Sequence, residues 1–131
     1  MLIKDERLRM ALMRAIADEQ ALKILSRTIW KARSVMDLIK ECNIPHTSAY
    51  RLVNELKDKG LLTVERIMFS KDGKKYTLYK SAFRNITIKF EGGSIKVYAE
   101  VNRNLIDKAF RIFSSLKEEV KAWFLKKPLK F

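Results

Sequence analysis

The chain has 131 residues, 47% of them hydrophobic, which fits a single domain with a modest core of its own. Its 28 Lys and Arg against 15 Asp and Glu give a formal net charge of +13 and a pI near 10.0, an excess suited to phosphate-bearing partners. A single cysteine, Cys42, and a single histidine, His46, exclude a disulfide framework, a paired-cysteine zinc or redox site and a nucleophile-base-orienter set, so no metal, no cofactor and no enzyme is expected.

Residues 1–10 interrupt their apolar side chains with Lys4, Asp5, Glu6, Arg7 and Arg9, unlike a secretory signal. No apolar run approaches the ~20 residues that span a bilayer. These features predict a cytoplasmic, nucleoid-associated protein with no membrane partner. From Asp5 to Ala17, Leu8, Ala11, Leu12, Ala15 and Ile16 recur at three and four, the mark of an amphipathic helix. Asp18 predicts an N-cap for a second helix to about Arg27, burying Ala21, Leu22 and Leu25. Ser34-Val-Met-Asp37 has capping-box spacing and opens a third helix that carries Val35, Leu38 and Ile39 and ends near Asn43. Ile44-Pro45 cannot continue it, because proline lacks a backbone donor and restricts the residue before it. A fourth helix is predicted from about His46 to Lys59, closed by Gly60.

After Gly60 the period changes to two. Strands are predicted at Leu62 to Phe69 and Lys75 to Lys80 around Asp72-Gly73, a hairpin signal. A second hairpin is predicted from Asn85 to Phe90 and Ser94 to Ala99 around Gly92-Gly93, with Ile86, Ile88, Phe90, Ile95, Val97 and Ala99 on its apolar face. Either that face packs under the C-terminal helix or it pairs with a second subunit. From Asn104 to about Lys126, Leu105, Ala109, Ile112, Phe113, Leu116, Val120, Trp123 and Phe124 predict a long amphipathic helix.

Three helices, the last two joined by a short turn, followed by a hairpin, are the parts of a winged helix-turn-helix. The predicted class is α+β: a single domain over 1–131 with a winged core at 18–82, an added hairpin at 85–101 and a C-terminal dimerisation helix at 104–126. Residues Leu38 to Leu62, with the run Thr47-Ser-Ala-Tyr-Arg51 at the start of the fourth helix and the exit Leu56 to Leu61, resemble the helix-turn-helix of ArsR-like winged-helix regulators, especially archaeal ones. The resemblance spans about Asp18 to Lys80 and implies DNA binding and a dimer. It carries over no effector, since metal-sensing members use a paired-cysteine motif or further ligand clusters that this chain lacks.

On the fourth helix, at about 100° per residue, Ala49, Leu52, Val53 and Leu56 gather on one side. Thr47, Arg51 and Asn54 face away, flanked by Ser48 and Tyr50, a set able to contact phosphates and base edges of double-stranded DNA. Arg51 is expected to bind guanine or clamp a phosphate; Tyr50 is expected at the core edge or on DNA. Lys71, Lys74 and Lys75 at the first hairpin, with Lys80 and Arg84 beyond, discourage edge pairing or contact DNA. A homodimer is expected through the first and last helices, at Leu8, Leu12, Leu105, Ile112, Phe113, Leu116, Val120 and Phe124. The competing expectation is a winged-helix module that binds protein or RNA of the transcription machinery.

Overall fold

The computed structural model describes residues 1–102, in the order α1 (Glu6–Ala17), α2 (Glu19–Arg27), α3 (Val35–Cys42), α4 (His46–Asp58), β1 (Leu62–Phe69), β2 (Lys75–Ser81), β3 (Phe83–Glu91) and β4 (Ser94–Val101). This is an α+β arrangement compatible with a winged helix. The C-terminal helix expected at 104–126, with its positions Leu105, Ile112, Phe113, Leu116, Val120 and Phe124, lies outside the described residues.

Local chemistry sets the helix ends. Asp5 Oδ1 accepts from the Leu8 N–H at 2.9 Å, and Asp18 Oδ1 accepts from Gln20 and Ala21 N–H at 2.9 and 3.1 Å. Ser34 and Asp37 form the reciprocal box: Asp37 N–H donates to Ser34 Oγ at 3.1 Å and Ser34 N–H donates to Asp37 Oδ2 at 3.0 Å. Asn43, at φ 53°, closes α3 in the left-handed conformation that asparagine tolerates.

Leu12, Ile24, Leu38, Val53, Leu61 and Leu62 are the fully buried centre of the core. Two expectations change here. Leu12 is 0% exposed, because α1 turns it into the chain's own core, so it offers no surface to a second subunit; Leu8 is half-buried against the same core. On α2 the buried set is Ala21, Ile24 and Leu25, with Leu22 rotated outward, and Thr28 follows on the buried side with its hydroxyl donating to Ile24 O at 2.8 Å.

The strands form two separate antiparallel ladders, β1–β2 and β3–β4. β1 pairs Leu62 with Ser81 and Phe69 with Lys75, with an irregularity between Val64 and Arg66. Arg33, in the link between α2 and α3, exchanges backbone hydrogen bonds with Tyr79 at 2.8 and 2.9 Å, which fixes the β1–β2 hairpin beside the helices. β3 pairs Phe83 with Val101 and Glu91 with Ser94 around Gly92 and Gly93, whose φ values of 55° and 81° suit a two-residue turn of the I′ kind. The N-terminal residues add to this sheet: Ile3 N–H donates to Val97 O at 2.8 Å and Ala99 N–H to Met1 O at 2.9 Å.

The apolar face expected to be buried on the second hairpin is buried only in part. Val97 and Ala99 are in the core and Ile86 is half-buried, whereas Ile88, Phe90 and Ile95 are exposed, because the hairpin extends past the helices that cover its base.

Candidate nucleic-acid interface

The helix α4 divides by face as its period requires. Ala49, Leu52, Val53 and Leu56 are all buried, while Thr47, Tyr50, Arg51 and Asn54 are exposed and Ser48 is intermediate. The buried set spends its surface on the core, which leaves the polar set without a packing role. The start of α4 is also open: Pro45 occupies the N-cap, no side chain caps the first turn, and no acidic residue lies in it. Free N–H groups and the positive end of the helix dipole at that terminus favour an anion. Further along, Arg51 Nη1 lies 3.4 Å from Glu55 Oε1.

Tyr50 is 48% exposed and stacks on His46 with ring centroids 6.5 Å apart, so it is not a core aromatic. It borders a cleft of about 200 Å³ together with Ser34, Met36, Lys75 and Tyr76. That cleft joins three elements: the capped start of α3, the exposed side of α4 and β2 from its start at the tip end of the β1–β2 hairpin. Sequence reasoning found Tyr50 and Lys75 separately and missed Ser34, Met36 and Tyr76. The alternation of β2 carried a signal for Tyr76, but nothing local places the start of α3 opposite it.

At the hairpin tip the lysines Lys71, Lys74 and Lys75 are exposed. The tip is ordered from within: Ser70 N–H donates to Lys74 O at 2.8 Å, Lys74 N–H donates to Ser70 Oγ at 3.1 Å, and Asp72 accepts from the Ser70 hydroxyl. The acid of the tip is therefore held by a neighbour while its lysines point to solvent. Lys80 and Arg84 do not join them. Lys80 is buried with its ammonium 3.5 Å from Trp30 O, and Arg84 pairs with Glu100 across the second hairpin.

No family model matches the chain, and neither a curated protein nor a solved structure matches it. The geometry of α4 and the hairpin is thus the basis for a functional reading. Among the described residues no cluster of His, Cys, Asp or Glu could hold a metal ion, and no helix is long and apolar enough to cross a membrane. Cys42 is buried at the end of α3, and that burial pushes its thiol above the ordinary range, with Arg27 opposing in part.

Proposed function

We propose that the protein is a transcriptional regulator that binds double-stranded DNA as a homodimer, with α4 in the major groove and the β1–β2 hairpin as a basic wing on the backbone or minor groove. One observation carries the reading: Thr47, Arg51 and Asn54 form a polar face with no packing duty, next to a cleft that Tyr50 shares with Lys75 of the wing. Arginine and asparagine are the side chains whose donors match guanine and adenine edges, and the uncapped start of α4 suits a phosphate. The net charge of +13 supplies the sequence-independent attraction. Two copies belong to the reading because helix-turn-helix proteins read half-sites about one helical turn, ~34 Å, apart.

Selection of bound fragments from random duplex DNA, followed by a salt titration on the consensus, tests this reading. A palindromic consensus bound more tightly than scrambled duplex is the expected result. Preference for single-stranded RNA, or equal binding to all duplexes, would overturn regulation by sequence-specific contact and favour an RNA or protein interaction module.

A further inference from the structure

The second hairpin has two unlike faces. One bears Thr87, Lys89, Lys96 and Tyr98, with the Lys89 ammonium 5.8 Å from the Tyr98 ring centroid. The other is built from the cross-strand pairs Ile86–Ala99, Ile88–Val97 and Phe90–Ile95 and contains no charge. Exposure on it rises from the base to the tip: Val97 is fully buried, Ile88 and Ile95 are 39% and 38% exposed, and Phe90 is 75% exposed. An uncharged face gives phosphates nothing to bind, so the DNA reading leaves it unexplained.

We propose that this face is the docking surface for the chain's own residues 105–124. That segment lies outside the described residues, and three arguments select it.

The first is where it starts. Asn102 is pinned at the base of the hairpin, its backbone N–H donating to Ala82 O at 2.9 Å and its side-chain amide donating to Ile29 O at 2.8 Å and Ser81 O at 3.1 Å. Whatever follows Asn102 sets out from the buried end of the apolar face.

The second is length and spacing. At ~3.3 Å per residue, Phe90 stands about 23 Å beyond Phe83 along β3. A helix started at Leu105 covers that distance in about 15 residues, at 1.5 Å each, which reaches Val120. The repeats also agree: alternate strand positions Ile86, Ile88 and Phe90 fall every ~6.6 Å, and the four-residue steps Ile112, Leu116 and Val120 fall every ~6 Å.

The third separates this occupant from a second copy. A stable contact between separate chains buries about 800 Å² per partner, more than three partly exposed side chains provide. A tethered segment docks at the millimolar effective concentration set by a short link, so a small face suffices. The stripe that the sequence assigned to a dimer contact thereby acquires an acceptor in its own chain.

The test is disulfide trapping in the full chain. With Cys42→Ala removing the native thiol, Phe90→Cys combined with Val120→Cys should form an intrachain disulfide under mild oxidation, read by non-reducing electrophoresis. Its rate should not change over a tenfold range of protein concentration, and should exceed by about tenfold that of Phe90→Cys combined with Glu118→Cys, which the helical period of the sequence sets about 200° away from Val120. No excess over that control would overturn the proposal. So would interchain species that grow with concentration, which would seat a second copy on the face. A measurement without engineered thiols guards against a folding defect: Val120→Lys should raise binding of a hydrophobic dye, Glu118→Lys should not, and adding Phe90→Ser to Val120→Lys should remove the increase. Equal dye binding by the two lysine variants would also overturn it. Neither readout involves DNA, so its failure is distinct from failure of the regulatory reading.

Discussion

Arg51 reaches forward to Glu55, one turn further along α4, with 3.4 Å between guanidinium and carboxylate. Both side chains are largely exposed, so the pair contributes little to stability, on the order of 0.5 kcal/mol. If α4 faces DNA as proposed, the carboxylate competes with a phosphate or base for the same guanidinium. Arg51→Ala should cost about 1 to 3 kcal/mol on the selected site and less on scrambled duplex, whereas Glu55→Gln should strengthen binding to both. Fluorescence anisotropy on matched duplexes measures this. Equal losses on both duplexes would make Arg51 a phosphate clamp, and weaker binding by Glu55→Gln would count against α4 facing DNA.

Replacing Lys71, Lys74 and Lys75 with Gln should weaken binding uniformly across sequences. For every phosphate that the wing no longer neutralises, the dependence of log affinity on log salt should flatten by about 0.9. Lys80→Gln should leave that slope unchanged, since its ammonium already faces Trp30 O, although it would disturb folding. A slope unaffected by the triple replacement would take the wing off the DNA.

Signals written within a few residues were legible in the sequence. Asp18, the Ser34–Asp37 box and the Gly92-Gly93 turn each close a hydrogen-bonding problem locally, so their elements appear where the residues predict them. The polar face of α4 was legible for the same reason, because one helix has one period. What failed depends on distant partners. Leu22 and Leu25 are three apart and look alike in sequence, yet the packing of α2 buries Ile24 and Leu25 and leaves Leu22 outside. Burial of Lys80, pairing of residues 1–3 with β4 and the meeting of Ser34 with Tyr76 all need chain segments dozens of residues apart.

Asp18 serves both helices it separates, as the C-cap of α1 and the N-cap of α2. Asp18→Ala removes the acceptor for Gln20 and Ala21 N–H and should lower stability by about 1 kcal/mol, seen as a lower urea midpoint. The affinity of the folded fraction for DNA should not change, because Asp18 hydrogen-bonds within α1 and α2, to Arg14, Ala15, Gln20, Ala21 and Leu22. A loss of affinity beyond the unfolded fraction would show that the α1–α2 corner takes part in binding.

The raised Cys42 thiol sets a pH dependence of definite sign. Its buried, neutral form is favoured in the folded chain, so the folded value exceeds the unfolded one. Stability linked to it is complete below the unfolded value and is lost as pH rises above it, when the unfolded chain releases a proton that the folded chain retains. Between pH 7 and pH 10 the urea midpoint should fall further for the native chain than for Cys42→Ala. Parallel curves would show that burial of the thiol does not govern alkaline stability. Alkylation at neutral pH should likewise be slow until urea unfolds the chain.

Leu12 decides whether α1 acts as core or as interface. Because it is fully buried among its own chain's side chains, Leu12→Ala opens a cavity and should destabilise the fold by about 2 to 5 kcal/mol, visible as a large drop in the urea midpoint. An interface residue would behave differently: its replacement would shift the concentration dependence of assembly while leaving the folded subunit near its original stability. The two effects separate when light scattering is done on Leu12→Ala under conditions where circular dichroism reports it folded. The expected result is the same molar mass as the unsubstituted chain at equal concentration, together with the lowered midpoint. A folded but dissociated Leu12→Ala chain would return α1 to the subunit contact and would require that Leu12 leave the core in the assembled protein.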